Sequence, residues 1–565
     1  MQESQVAVVT GGARGIGFAV ATALAADGYH VVILDNGVQL DGTGQDAGPA
    51  NDAVAQIGAR GGSAEAAFCD AGDAAAVRAT IADVLARHGR IDVLANVAGI
   101  LRPGPFLHDT ADTWAAVLSV HLGGHLNAIA AVLPGMLARH EGRIINITST
   151  SALLGSRRQP AYSAAKQAVV GLTRVLAPVL ARWGVAINAI SPAAASRMST
   201  GAQAAPDPDR DERSAELTDR EPGHVGRFAS WLAGRGAAGV TGRVFLVSGG
   251  YVIEYEHLRP WKWSAVPPGA DPDQVAERVR WVLGRPHPTV IGPWPTRDFG
   301  LAEIDRQWEG TGVSAELAAA AGATGQPGAG WTAAVDRVPG LPDVAVVGAA
   351  EGSSAAALLA QLRARRPGAD AAGGQAAATE PASPPAGVIV FPSGCGPAAP
   401  PAAGTRDQGG LESVADVVLP PPGEICPVVV ELLHQLQSAL ALAGRDGGRS
   451  VLVVLPSWRD DGALACALAW YAAVGLIRGT AATEAIYGVR VNGLVVERGH
   501  EQLGAAMAGY LLSEDSHWLN GYLLTADGLG AGVLSDERPR WQGHYPEAEF
   551  RLPAAVGREL GVNTT

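Results

Sequence analysis

Short β-branched apolar runs alternate with helical periodicity along the first half of the chain. Gln5-Val6-Ala7-Val8-Val9, His30-Val31-Val32-Ile33-Leu34, Ile91-Asp92-Val93-Leu94-Ala95 and Gly142-Arg143-Ile144-Ile145-Asn146-Ile147 each read as strands buried on both faces. Strands spaced by helices predict an α/β fold, a Rossmann-type doubly wound parallel sheet whose ligand crevice opens at the strand C-terminal ends. The candidate chemistry falls at those ends. Thr10-Gly11-Gly12-Ala13-Arg14-Gly15-Ile16-Gly17 joins the first strand to a helical pattern running through Ala25. Glycines 11, 15 and 17 permit a tight turn and let a pyrophosphate approach the backbone at the helix N-terminus. Asp35 ends the second strand, Asn96-Val97-Ala98-Gly99 follows the third, and Thr148-Ser149 closes the fourth.

The pattern restarts at Asp343-Val344-Ala345-Val346-Val347. Gly348-Ala349-Ala350-Glu351-Gly352-Ser353-Ser354 then stands where the first glycine turn stood, with Ser354 replacing the last glycine. Ala/Pro/Gly-rich residues 367–386 replace the second strand and its acidic residue. Gly387-Val388-Ile389-Val390-Phe391 is similar to the third strand. The firmest internal match pairs Ala168-Val169-Val170-Gly171-Leu172-Thr173-Arg174 with Ala472-Ala473-Val474-Gly475-Leu476-Ile477-Arg478. In that register Cys466 and Trp470 replace Tyr162 and Lys166, and the serine position falls near Leu455 and Pro456. The expected organisation is a first domain over 1–253, a Trp/Pro-rich linker packed on the domains over 254–340, a degenerate Rossmann-like copy over 341–535 and a C-terminal tail over 536–565. Residues 198–223, polar and rich in Asp and Pro, read either as a lid over the cleft or as a simple surface insertion.

Composition narrows the function. With 47% hydrophobic and 17% charged residues the chain is globular, and a net charge of −13 argues against nucleic acid or an acidic membrane surface as partner. Cys69, Cys395, Cys426 and Cys466 form no paired spacing, so they read as small core residues in a reducing compartment, with no disulfide and no metal framework. Met1-Gln2-Glu3-Ser4 runs straight into an apolar strand, and no apolar run reads as long enough to span a bilayer, so the expected location is the cytoplasm.

Only Lys166 and Lys262 are lysines, the positive charge otherwise resting on arginine. Lys166 lies four residues after Tyr162, on the same helical face. An ammonium near a phenol stabilises the phenolate and lowers its pKa, which makes Tyr162 a candidate acid/base. Ser149 precedes it by thirteen residues. Lys262, in Trp261-Lys262-Trp263, reads as structural. Asp35 can accept both adenosine ribose hydroxyls and would repel a 2′-phosphate, which favours NAD(H); Arg14 is the counter-signal.

Taken together, Thr10-Gly11…Gly15-Ile16-Gly17, Asn96…Ala98-Gly99 and Ser149…Tyr162…Lys166 resemble the short-chain dehydrogenase/reductase pattern in order and spacing over about residues 5–253. The long glycine-rich connection 36–44, Val120-His121-Leu122-Gly123 and the segment after Ser191-Pro192 resemble its (3R)-hydroxyacyl-CoA dehydrogenase branch. The resemblance implies that Tyr162 is the general acid/base, that Ser149 orients the reacting oxygen, and that Lys166 lowers the tyrosine pKa and holds the nicotinamide ribose. It also implies that Gly11, Arg14, Gly15, Ile16, Gly17, Asp35, Asp70, Asn96, Ala98, Gly99 and Pro192 surround the cofactor, with Asp70 by the adenine and Asn96 bracing the central strands. One departure concerns the helix asparagine of many members, replaced here by His121. That histidine either passes a proton or only supports packing.

The implied activity is an NAD(H)-dependent oxidoreductase interconverting a secondary alcohol and a carbonyl, or reducing a carbinolamine or iminium carbon. The small-molecule substrate is either a hydroxyacyl thioester or a natural-product scaffold; a non-catalytic NAD-binding sensor or scaffold is the competing class. Family members associate through two helices per subunit, and the second of these survives at 463–480 without its chemistry. The halves are therefore expected to pack as an intramolecular pseudo-dimer, with two chains forming a homodimer that mimics a tetramer.

Overall fold

The computed structural model describes residues 4–104, 106–156, 158–194, 221–248, 251–255, 259–266, 274, 277–279, 335–338, 341–347, 358, 387–390, 422–443, 449–456, 464–484, 489–512, 516, 519–527, 530–535 and 539–544. Residues 198–220 of the supposed lid, the turn 348–354, the stretch 367–386 and the side chain of Cys466 lie outside them, while residues 221–223 of that segment open helix Pro222–Ala233.

The strands are β1 (Val6–Thr10), β2 (His30–Leu34), β3 (Ser63–Ala67), β4 (Val93–Asn96), β5 (Gly142–Ile147), β6 (Val185–Pro192), β7 (Val244–Ser248), β8 (Tyr251–Tyr255) and β9 (Arg259–Ser264). They continue as β10 (Val335–Val338), β11 (Leu341–Val347), β12 (Gly387–Val390), β13 (Ser450–Pro456), β14 (Arg490–Val496), β15 (Leu523–Asp527), β16 (Gly530–Ser535) and β17 (Pro539–His544). Among the described residues they form two sheets. The first has the order β17-β8-β7-β6-β5-β4-β1-β2-β3, parallel from β3 to β7. β1, β2, β4 and β5 are apolar because helices cover both faces. β4 begins two residues later than the apolar run suggests, since Asp92 turns back to accept the Val6 amide at 2.8 Å.

In the second sheet the order is β10-β11-β12-β13-β14-β15-β16-β9. β11 through β16 follow one another as β1, β4, β5, β6, β7 and β8 do in the first. Beside β11, where β2 would pair in parallel, stands the antiparallel β10. Among the described residues, the second sheet has no parallel strand beside β11 that could end in a counterpart of Asp35.

The two sheets exchange strands. β9 leaves the first half and pairs antiparallel with β16, and β17 leaves the second half and pairs antiparallel with β8. This corrects two boundaries: 254–340 is not wholly linker, because residues 254–255 complete β8 and 259–264 form β9, and 536–565 is not wholly a tail. Both exchanged segments begin at an Arg-Pro pair, 259–260 and 538–539.

Helices Pro160–Ala181 and Leu464–Glu484 cross between the sheets, and one continuous apolar core runs through both halves around them. Their contacts repeat under the internal match. An added Cβ on Gly171 would collide with the Tyr471 ring, and on the equivalent Gly475 it would meet Gln167 Cβ at 2.6 Å and collide with the Ser163 carbonyl. Gln167 and Tyr471 are themselves equivalent positions, so the crossing is isologous, like that of a C2 dimer. Trp470, at the lysine position, is 2% exposed and stacks edge-on to Tyr471 at 5.4 Å.

By length and composition alone, helices Ala111–Arg139 and Pro160–Ala181 could cross a membrane, contrary to the expectation that no run is long enough. Their apolar windows are 72% and 78% buried inside the protein, so burial in its core accounts for the composition.

Gly475→Val should cost at least the ~1–3 kcal/mol of an overpacked core, because the obstructing atom is backbone. A urea unfolding midpoint unchanged from the parent would show that the two helices do not touch there.

Candidate active site

A cavity of about 910 Å³ opens at the C-terminal ends of β1, β2, β4, β5 and β6. Its floor is the glycine turn. Gly11 has φ +66 and lies so close to the loop after β4 that an added Cβ would stand 2.6 Å from Ala98 Cα. Thr10 Oγ1 fixes that approach by accepting from the amides of Val97 at 3.0 Å and Ala98 at 3.2 Å. Gly15 lines the cavity, and a Cβ there would meet no protein atom within 4 Å. Beyond it the amides of helix Gly15–Ala26 begin, the terminus at which a phosphate is stabilised. Gly11, Arg14, Gly15, Ile16, Gly17, Asp35, Asp70, Ala98, Gly99 and Pro192 all line the cavity.

Asp35 is held by two amides, Ala13 at 3.0 Å and Gly37 at 2.8 Å, one on each carboxylate oxygen. Each oxygen keeps lone pairs for a ribose hydroxyl. Arg14 donates to the Val38 carbonyl at 2.8 Å, which ties its guanidinium to the loop beside Asp35. Asp70 accepts from the Gly72 amide at 2.8 Å on the exposed rim. Asn96 differs from its expected place among the cofactor contacts. It is 1% exposed, is not among the residues lining the cavity, and donates to Asn146 at 3.0 Å, which donates on to Thr173 at 3.0 Å. Its work is to brace β4, β5 and helix Pro160–Ala181 under the site.

Ser149, Tyr162, Lys166 and His121 converge on the cavity. Ser149 N-caps a short helix, accepting from Ser151 N at 3.1 Å, and lines the same cavity as Tyr162. Lys166 donates to the Ile147 carbonyl at 2.7 Å and lies 5.9 Å from the Tyr162 ring centre. Thr148, which sequence reasoning passed over, accompanies it by donating to the Lys166 carbonyl at 2.7 Å. A hydroxyl residue just before Ser149 at a strand end was its only signal.

Among the protein groups, burial pushes the Tyr162 phenol above its ordinary 10, and the Ser149 hydrogen bond opposes this. The expectation that Lys166 lowers the phenol is therefore not met by the protein alone. Burial acts on the lysine too, pushing it down to about 7. His121 is 0% exposed, and burial with the nearby Lys166 charge keeps it well below the usual histidine range, so the ring is neutral. Its Nε2 lies 2.7 Å from the Ile100 carbonyl and its ring meets Tyr162 edge-on at 5.0 Å. It sits in a π-helical stretch, Ser119–Gly123, between helices Ala111–Leu118 and Gly124–Arg139. Such bulges recur at functional sites.

Away from this cavity, ligand atoms of His30, Glu65 and His88 lie within 4.8 Å of one another. The Arg87 guanidinium already neutralises Glu65 at 2.5 Å, so a cation there would compete with a resident charge.

A glycine-cradled dinucleotide cleft with a serine–tyrosine–lysine set defines a nicotinamide-dependent oxidoreductase. The chain matches the family described as short chain dehydrogenase over residues 5–207. It is 38% identical over 251 residues to a 3-oxoacyl-[acyl-carrier-protein] reductase of Synechocystis, covering 44% of this chain and 98% of that protein. Hydroxyacyl-CoA dehydrogenase ChsB1 of Mycobacterium tuberculosis is 34% identical over 319 residues, 54% of this chain and 94% of that one. A solved short chain dehydrogenase from Mycobacterium avium shares 33% identity, covering 52% of this chain and 98% of that one, with a TM-score of 0.43. The chain belongs to the short chain dehydrogenase family.

Lys166 yields a pH test. Its folded pKa is depressed, so between about 7 and 10.5 the unfolded state binds the extra proton and stability rises with pH; below 7 the penalty is fully present. Lys166→Met should stabilise more at pH 6 than at pH 10, by a difference of up to ~5 kcal/mol. Equal shifts in unfolding free energy at both pH values would contradict the burial assignment.

Proposed function

We propose that the chain is an NAD(H)-dependent oxidoreductase interconverting a secondary alcohol and its carbonyl. The observation that carries this is the convergence of Ser149, Tyr162 and Lys166 in one cavity with the glycine turn and Asp35. When bound, the nicotinamide supplies or accepts the hydride at the substrate carbon. Ser149 holds the substrate oxygen beside the phenol. In reduction, Tyr162 gives its hydroxyl proton to that oxygen as the carbonyl π bond is lost, and Lys166, 5.9 Å from the ring centre, is the cation that faces the phenolate left behind. A phenol with a raised pKa is protonated at neutral pH, which suits the reductive direction.

For the cofactor, Asp35 supports NAD(H). Both its oxygens are aimed and fixed at the end of β2, whereas Arg14 is engaged with the Val38 carbonyl. For the substrate, an oxoacyl or hydroxyacyl thioester is supported by the activities named for the two curated relatives. Arg102, which lines the cavity, offers a cation on that side.

Tyr162→Phe should lower kcat by ~10²–10⁴ with acetoacetyl-CoA while NADH still binds; wild-type turnover in this variant would remove Tyr162 from the chemistry. The cofactor assignment is checked separately by comparing kcat/KM for NADH and NADPH. NADH should win in the parent, and Asp35→Ala should erode the preference. A parent that prefers NADPH would show that Arg14 governs the choice.

A further inference from the structure

We propose that Gln437 and Thr483, in the half that has lost its chemistry, are positioning residues for the substrate side of the active cleft. The proposal rests on the oxidoreductase reading and extends it to the second half.

Two loops form that side of the cavity. One follows β4 and contributes Ile100, Leu101 and Arg102; the other follows β5 and contributes Ser151, Ser156 and Gln159. They are joined to each other where the Gly104 amide donates to the Arg158 carbonyl at 3.0 Å. Each is then held from the second half. The Gln437 amide donates to two carbonyls of the first loop's continuation, Phe106 at 3.0 Å and Asp109 at 3.2 Å. Thr483 accepts the Arg158 amide at 3.1 Å and donates to its own helix at Gly479 at 2.7 Å, which fixes its hydroxyl.

Three further features show a built contact. Arg158 adopts φ +60, a left-handed conformation uncommon outside glycine, and Thr483 binds the amide of that residue. Gly155, φ +76, lies against the backbone of Arg478 and Gly479 so closely that an added Cβ would collide with it. His434, one helical turn before Gln437, stacks edge-on to Trp114 at 5.1 Å, and the Trp114 indole donates to Asp109 at 3.2 Å. Thr483 and Gln437 therefore act on strained or enclosed backbone that the first half does not hold alone. Neither residue is among those lining the cavity, so any effect on substrate must pass through the loops.

The test uses the full-length chain with Gln437→Ala, Thr483→Val and, as the hydroxyl-keeping control, Thr483→Ser. Hydrogen exchange followed by mass spectrometry should show segments 99–110 and 150–159 exchanging roughly three- to tenfold faster in the first two variants, the worth of one hydrogen bond. The β1 segment should be unchanged. With acetoacetyl-CoA, KM should rise by a similar factor while kcat and NADH affinity stay within about twofold, and Thr483→Ser should restore the parent values. Unchanged exchange in both loops would overturn the proposal. So would faster exchange spread equally to β1, which marks a merely structural role. If the parent turns over no acetoacetyl-CoA, the thioester reading falls, and the exchange measurement still decides the positioning role.

Discussion

The crossing of helices Pro160–Ala181 and Leu464–Glu484 is the constraint on which the rest depends. The first of these carries Tyr162 and Lys166, and its outer face would be an exposed apolar stripe without the second. Glycines at the equivalent positions 171 and 475 let the backbones approach closely enough for Tyr471 and Gln167 to fill the space opposite. The catalytic helix is thereby clamped from outside while Asn96, Asn146 and Thr173 brace it from beneath. A general acid/base must be held within tenths of an ångström, and this helix is packed on both sides to do so.

That clamp bears on how the second half differs from the first. It has β11 to β16 and the helices that press on the first half. On the flank of β11 where the cofactor's adenosine would need an acidic strand end, it has an antiparallel strand instead. At the lysine position, a buried Trp470 replaces a cation whose own burial is unfavourable. With no cation at that position the middle of the helix is apolar, and its polar groups, Arg478, Thr480, Thr483 and Glu484, gather in the last turns.

How much was legible in the sequence follows the range of the interactions involved. β1, β2 and β5 could be read because each is a local β-branched run buried by helices on both faces. β3 could not: Ser-Ala-Glu-Ala-Ala at 63–67 is an edge strand, weakly apolar and paired only with β2. Tyr162, Lys166 and Ser149 were legible from spacing, because one helix and one strand end fix their relation. The direction of the Tyr162 shift was not, since burial is a tertiary effect and here it is the largest cause. Asn96 was read as a brace and also as a cofactor contact; its partner on β5 lies fifty residues away and shows it to be the brace. The exchange of β9 and β17 escaped entirely, because pairing across the whole chain leaves no local period to read.

The exchanged strands also set an order of events during synthesis. β8 emerges from the ribosome with its outer edge unpaired, and the strand that closes it, β17, is made after every other described strand. β9 emerges early and has no partner until β16 exists. The first half must therefore wait, with an open strand edge, through translation of nearly the whole second half. Such edges template aggregation, and long-range strand pairing is slow. A chain truncated anywhere before residue 539 would leave that edge permanently open, so completeness of the nascent chain is itself a condition for a closed catalytic sheet.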